Sequence, residues 1–330
     1  MEQKMTTVAV IGAYGFIGKA TVKDLLEETD YKVIALSRKA QSYVFAESHQ
    51  LVEMQIDYYD DEAVSSMLKD VDVVINLAGK MGDSGVTYEM MYKDNVEFVE
   101  HILDLCIKSG VKHYIHISTP GVQGLGLRLA KESDQYNPQD DYQKTKMLGE
   151  QAVIKKSSDS EMKYTILRPD FVYGVGDERR VKLYRNIKNH RFVLTTSGKA
   201  HISPTYVSDV AQGIRKSILN EKAYGEVFNI SGEEVQVLEY LNILATAVGT
   251  RLLHFNISTV LSLIIVGIIS RCCIVLRIKP FVSESQIKFL ALDHSTSISK
   301  AINLLDYYPK VSLQEGTKEA YEYLIERGLF

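Results

Sequence analysis

The chain of 330 residues contains only three cysteines, Cys106, Cys272 and Cys273, and no CxxC spacing. An odd set without metal spacing is neither a disulfide framework nor a zinc site, which points to a reducing compartment. The eight histidines are scattered and form no HExxH-type pair, so no metal is indicated. Blocks of like charge are missing and the net charge is −4, which excludes the electrostatic footprint of a nucleic-acid partner. No apolar signal region precedes the first strand-like run, and a cytoplasmic protein is expected. Internal repeats and low-complexity tracts are lacking too. The longest uncharged apolar run, Ile257–Ile269, counts 13 residues, too few for the roughly 20 that cross a bilayer. Arg271 interrupts it before Cys272–Leu276, and Arg277 and Lys279 follow. Segment Ile257–Leu276 therefore suits a helix packed in a lobe, a helix lying on a membrane surface between basic flanks, or a homodimer contact.

What is present is a regular alternation in the first half. Strand-like runs at Val8–Ile11, Val33–Leu36, Val52–Ile56, Val71–Leu77, His113–Ser118 and Tyr164–Arg168 alternate with helical patterns near Gly15–Glu28, Asp61–Leu68, Val96–Ser109 and Asp140–Lys155. That is the pattern of an α/β fold, a doubly wound parallel sheet covered on both faces. Asn137-Pro138 offers a start for the last helix, with Pro in its first turn and Asp140 and Asp141 near its positive end. After Pro169 the regularity fades among Gly174, Gly176, Gly198 and Pro204, and a substrate lobe is expected there. A helix over Tyr206–Leu219 rejoins the first domain. The resulting division is 1–170 with 206–222 for the nucleotide domain, and 171–205 with 223–330 for the lobe.

Two short strings carry the chemistry. Gly12-Ala13-Tyr14-Gly15-Phe16-Ile17-Gly18 lies between the first strand and the first helix, where a pyrophosphate rests on free backbone N–H groups. The second strand ends at Ser37-Arg38-Lys39. A carboxylate there would favour NAD, whereas cations suit the 2′-phosphate of NADP; NADP is expected, with NAD open. Asp57-Tyr58 after the third strand is placed to meet the adenine, and the small residues of Leu77-Ala78-Gly79 let a dinucleotide lie close to the backbone. The other string, Tyr142-Gln143-Lys144-Thr145-Lys146, puts a phenol and an ammonium on one helical face. The cation is expected to lower the phenol's pKa. Ser118 and Thr119 leave the fifth strand at the carboxyl edge of the sheet, where such folds hold ligands. A hydroxyl there can hold a substrate hydroxyl or carbonyl while Tyr142 exchanges its proton.

In combination these strings resemble the extended short-chain dehydrogenase/reductase superfamily, the NAD(P)-dependent epimerase/dehydratase group. GAYGFIG matches its GxxGxxG; Asn76-Leu77-Ala78-Gly79 resembles its NAAG-like segment; Asn95 matches the helix asparagine before the active-site strand. His116–Gly124 resembles the SSxxVYG block, with Gln123 in place of the common Tyr and Pro120 directly after Thr119. YQKTKMLGE matches YxxxKxxxE, and Leu167-Arg168-Pro169 with Val172-Tyr173-Gly174 matches LRPxxVYG. Tyr206–Ala211 and Phe228–Gly232 resemble the YVxDVA and VYNIGG stretches. The resemblance implies a Rossmann-type domain with a smaller C-terminal α/β substrate lobe. It also implies a triad of Thr119, with Ser118 just before it, Tyr142 as acid/base and Lys146 as its partner. Asn95, Pro169 and Val172 join the cofactor positions by the same resemblance.

The expected activity is hydride transfer at a secondary alcohol or ketone, in the first place on a nucleotide-linked sugar. A reductase of an apolar ketone, of hydroxysteroid or dihydroflavonol type, is the alternative, and a nucleotide-binding protein without turnover is a third. Arg168, or Arg179, Arg180 and Lys182, would answer a substrate's phosphates, or else pair structurally or lie in solvent. Asp209 reads as a helix cap or an anchor for the lobe.

Overall fold

The computed structural model describes residues 5–39, 45–82, 85–275 and 284–330. Seven parallel strands form the central sheet: β1 (Thr7–Ile11), β2 (Lys32–Ser37), β3 (Leu51–Gln55), β4 (Val73–Asn76), β5 (His113–Ile117), β7 (Lys163–Pro169) and β12 (Glu226–Ile230). Their order is β12-β7-β5-β4-β1-β2-β3. The chain thus reverses direction between β1 and β4, at the point where doubly wound sheets open a ligand crevice.

Strand periodicity divides the apolar residues between two faces. Val8, Val10, Ala35, Ile75, Ile115 and Phe228 meet Val22 and Leu25 of α1 (Phe16–Glu28) and Val210 and Ile214 of α7 (Val207–Ser217). On the opposite face, Ala9, Ile11, Ile34, Val74 and Tyr114 meet Val64 and Leu68 of α2 (Asp61–Leu68), Ile102 and Leu103 of α4 (Phe98–Lys108) and Val153 of α5 (Asp141–Ser158). Each such fully buried aliphatic contributes about 1.5–3 kcal/mol, enough to fix the sheet edge that carries the site. Between α3 (Tyr88–Tyr92) and α4, residues Lys93–Glu97 form a π-helical turn.

The smaller lobe rests on a four-stranded sheet of β13 (Val235–Gln236), β10 (His201–Ile202), β15 (His294–Thr296) and β6 (Leu127–Ala130). Two short pairs flank it, β8 (Val172–Tyr173) with β11 (Thr205–Tyr206) and β9 (Val193–Leu194) with β14 (Leu253–His254). Its own core joins Tyr184 and Ile187 of α6 (Val181–Lys188), Leu241 and Leu244 of α8 (Val237–Ala247) and Leu324 of α12 (Leu313–Glu326). Helix α9 (Thr259–Val275) packs against α10 (Glu284–Ala291), and α11 (Ser299–Leu305) packs on β12.

The division expected from sequence differs here in two places. β12 belongs to the central sheet, because α7 carries the chain back so that Phe228 and Ile230 pair beside Leu167 and Pro169. β6, from within the first 170 residues, pairs instead with β15 in the lobe. Both are long-range pairings that local periodicity does not encode. The start of α5 also differs: Asp140 is the cap, accepting from Gln143 N at 2.8 Å, and Pro138 lies before the helix. A side-chain acceptor at the cap satisfies an orphan N–H that proline has no means to satisfy.

Of the apolar segment Ile257–Leu276, Leu276 lies outside the described residues, as do Arg277 and Lys279. One side of α9 is seated in the lobe, where Val266 is buried and Ser262 donates to Thr195 O at 2.9 Å. The other side is bare: Val260, Leu261, Ile264, Ile265 and Ile268 are between 41% and 68% exposed. Among the described residues no helix is long and apolar enough to cross a membrane.

Candidate active site

Glycine makes the turn between β1 and α1 possible. Gly12 has φ +81°, and a Cβ on Gly18 would stand 2.1 Å from Gly12 O, so the first turn of α1 is pressed onto the loop. Gly15 opens α1 without a side-chain cap, and the first turn carries no acidic residue. The first-turn N–H groups and the positive helix end therefore face the crevice uncompensated, the donor set that a pyrophosphate requires. These residues fit a dinucleotide. Phe16 and Ile17 follow on α1, and Tyr14 turns its ring to Phe45 and its hydroxyl to Glu53 of β3.

The end of the crevice bordered by β2 and β3 is polar. The Ser37 hydroxyl closes the turn after β2 on the backbone of Lys39, while Arg38 and Lys39 are exposed. Asp57 accepts from Tyr59 N at 3.0 Å, and Tyr58 is buried beneath, its carbonyl 2.9 Å from His101 Nε2. After β4, Leu77 N donates to Ile11 O and Ala78 N to the Asn76 side chain, both at 3.0 Å. That holds Leu77-Ala78-Gly79 flat against the glycine turn: a Cβ on Gly12 would meet Ala78 N at 3.2 Å.

The catalytic candidates converge at the next strand ends. Lys146 is buried and donates from Nζ to Ile117 O at 2.6 Å. A Cβ on Gly79 would lie 3.7 Å from that Nζ, and one on Gly82 would lie 3.6 Å from Tyr142 Cβ. Ser118 is buried and its hydroxyl finds no partner among the described residues, whereas Thr119 accepts from Gly121 N at 3.2 Å and caps the 3₁₀ turn Pro120–Gln123. Pro120 stands at the first position of that turn, where a missing N–H costs nothing. Asn95 binds three segments together: its amide donates to Thr145 Oγ1 and Lys80 O and accepts from Lys80 N, at 2.8–3.0 Å. Thr145 in turn donates to Tyr142 O at 2.9 Å.

The electrostatics differ from the expectation that Lys146 lowers the Tyr142 pKa. Burial pushes Tyr142 up to about 12, reinforced by the Asp140 charge and opposed by Arg179. Burial also brings Lys146 down to about 8, against the pull of Glu150. Lys146 aims its ammonium at the Ile117 carbonyl, and the charges that act on Tyr142 are those of Asp140 and Arg179.

Other residues weighed from sequence find structural partners. Arg168 is buried and forks onto Glu150 with two bonds of 2.7–2.8 Å, and Tyr136 donates to the same carboxylate. The arginine of LRP and the glutamate of YxxxKxxxE are thus one buried ion pair that ties α5 to β7, and Pro169 closes β7 beside it. Gln123 donates to Lys131 O and Asp134 O. Asp209 accepts from Lys310 N and Val311 N, anchoring the C-terminal segment. Arg180 is held by Asp177, the Val172 carbonyl and the Tyr240 hydroxyl. Arg179 shares Asp177 at 2.7 Å and reaches the Phe16 ring and Met81, next to Tyr142. Sequence reasoning missed Met81 and Phe171, which carry no motif; the departure of Phe171 to φ +37° has no signature in composition.

Comparison with known proteins shows similarity along most of the chain. The model of the NAD dependent epimerase/dehydratase family matches residues 8–231. A sterol-4-alpha-carboxylate 3-dehydrogenase of Dictyostelium discoideum is 26% identical, covering 96% of this chain and all of that protein. A UDP-glucose 4-epimerase of Vibrio cholerae is 28% identical over 74% of this chain and 77% of its own length. The solved UDP-glucose 4-epimerase of Thermotoga maritima superposes with a TM-score of 0.77 at 22% identity, over 98% of this chain and 99% of that one.

Proposed function

The chain belongs to the NAD-dependent epimerase/dehydratase family, and from that membership we propose that it oxidises a secondary alcohol or reduces the matching ketone with Tyr142 as acid/base. One observation carries the reading. Tyr142, Lys146 and the Ser118–Thr119 pair meet at one carboxyl edge of the sheet, against Gly79 and beside the glycine turn. Gly12, Gly15 and Gly18 would hold the pyrophosphate, Asp57 the adenine, and Leu77–Gly79 with Asn95, Pro169 and Val172 the floor beneath the nicotinamide half. When bound, the dinucleotide supplies or accepts hydride. Ser118 and Thr119 orient the substrate oxygen, and Tyr142 gives or takes its proton. The burial of Lys146 and its bond to Ile117 O keep the pocket floor in place. Tyr142→Phe is expected to retain dinucleotide binding and to lose at least ~100-fold in turnover; undiminished turnover removes Tyr142 from the mechanism.

Exposed Arg38 and Lys39, with no carboxylate at Ser37, support NADP, while the family's description and the NAD-bound neighbours support NAD as the other cofactor. For the substrate, a nucleotide-linked sugar is supported by similarity to UDP-sugar epimerases. A second reading, an apolar ketone or alcohol, is favoured by the pairing of both Arg179 and Arg180 with Asp177, which commits the lobe's nearest cations before any diphosphate arrives. The bare aliphatic side of α9 supports contact with a membrane surface or with a second copy of the chain.

A further inference from the structure

Beside Arg180 the lobe encloses a cavity of about 210 Å³, walled by Phe171, Leu183, Phe192, Leu241 and Phe289. We propose that this cavity receives the non-reacting end of the substrate, and that this end is an apolar ring system or alkyl chain. The proposal rests on the reading of Tyr142 as acid/base and selects the substrate class.

Location comes first. Phe171 is the second residue beyond Pro169, at the same carboxyl edge of the sheet as Ser118. Arg180 adjoins Arg179, which reaches Met81 at 3.0 Å and the Phe16 ring, and Gly82 beside Met81 lies against Tyr142. Segment 171–180 therefore walls the cavity on one side and borders the crevice on the other. A whole ligand pocket measures roughly 300–1,000 Å³, so this volume suits one end of a molecule whose carbinol carbon lies outside it.

The lining decides the chemistry. Its polar groups are the Arg180 guanidinium and the Tyr240 hydroxyl, and they bond to each other at 2.8 Å. Arg180 further donates to Asp177 at 3.0 Å and to Val172 O at 2.8 Å, and its flat face lies 4.2 Å from the Phe171 ring centroid. A phosphate entering here would have to displace Asp177, whose side chain is buried and also bonded to Arg179. A methylene chain or ring displaces nothing and covers aromatic surface. Phe171 itself is held at φ +37°, a conformation disfavoured for an aromatic residue and concentrated at ligand clamps. Its ring is fixed by Arg180 and by Tyr240 and Phe289, each 5.4 Å away between centroids.

Nile red, a neutral dye, probes the cavity in the full-length protein. It is expected to bind with blue-shifted emission, to be displaced by 2-decanone, and to be indifferent to UDP-glucose. Leu241→Trp, which fills the cavity, is expected to weaken dye binding at least tenfold while the melting-temperature rise given by NADP stays as in the parent. Where that variant does not fold, Leu183→Phe provides the same test. Ile264→Asp on α9 separates surface adsorption, since it leaves binding in the cavity intact. Dye affinity unchanged by Leu241→Trp and Leu183→Phe, or lost with Ile264→Asp, overturns the proposal, as does displacement by UDP-glucose at the concentrations where 2-decanone acts. Tyr142→Phe leaves dye binding unaltered, so failure of the acid/base reading and failure of this one are distinguished.

Discussion

Burial moves Tyr142 up to about 12 and Lys146 down to about 8, and each shift disfavours the charged form. At neutral pH the phenol is protonated, ready to donate to a ketone oxygen and unready to accept from an alcohol. Alcohol oxidation needs the phenolate, so its kcat is expected to climb by about tenfold per pH unit from 7 toward 10, while ketone reduction gains nothing over that range. Rate profiles measured in both directions check the sign; an oxidation rate flat with pH shows that the bound state resets the phenol. Ser37 sets another residue-scale expectation. Its hydroxyl is occupied by the Lys39 backbone, leaving the Arg38 side chain exposed beside it. Ser37→Asp combined with Arg38→Ala is expected to shift the NADP-to-NAD affinity ratio at least ~10-fold toward NAD, because a carboxylate repels the 2′-phosphate and accepts from the free hydroxyl. Titration calorimetry with both dinucleotides decides it, and tighter NAD binding by the parent protein ends the NADP reading.

Helix α5 carries Tyr142, Lys146 and Glu150 at i, i+4 and i+8, and its placement depends on Gly149. A Cβ there would lie 2.5 Å from Asn95 O, so α5 approaches the π-helical turn as closely as backbone allows. The turn is a local insertion in the α3–α4 helix, of the kind that gathers at functional sites, and it presents Asn95 to Thr145 and Lys80. Gly149→Ala is expected to lower stability by about 1–3 kcal/mol, the usual cost of overpacking, and to reduce kcat more than it raises KM. Denaturant unfolding and steady-state kinetics measure the two. The sequence makes part of this legible: the i, i+4 spacing puts Tyr142 and Lys146 on one face, and the strand–glycine–helix order locates the crevice. It does not show that Glu150 of α5 closes on Arg168 of β7, because a pairing across the chain leaves no local period. It is silent on Phe171 and the cavity for the same reason. The strands after Pro169 are two or three residues long except β12, too short for alternation to register.

At the scale of the molecule, the two bodies differ in surface. The body built on the seven-stranded sheet exposes large apolar residues singly, as at Val52, Tyr59 and Met90, whereas the lobe shows the bare side of α9 with Phe255 and Leu253 nearby, 60% and 36% exposed. If that face meets a membrane, co-sedimentation with phosphatidylglycerol vesicles is expected at low salt and weaker at moderate salt, since basic residues contribute alongside the aliphatic side chains. Protein left in the supernatant at both salts, with a dimer in solution that Ile265→Asp breaks, assigns the face to a second copy instead.

The pairing of β15 with β6 and β10 has a consequence for synthesis. The last strand of the central sheet, β12, leaves the ribosome with Ile230, while the lobe's sheet waits for Thr296. At about 5–20 residues per second, seconds separate the two, and β6 spends them unpaired with its edge open. A nascent chain halted between those points carries the central sheet but neither α11, whose Ala301 and Leu305 join the core beside β12, nor the finished lobe, so dinucleotide retained by such a stalled chain measures how far the first half matures alone.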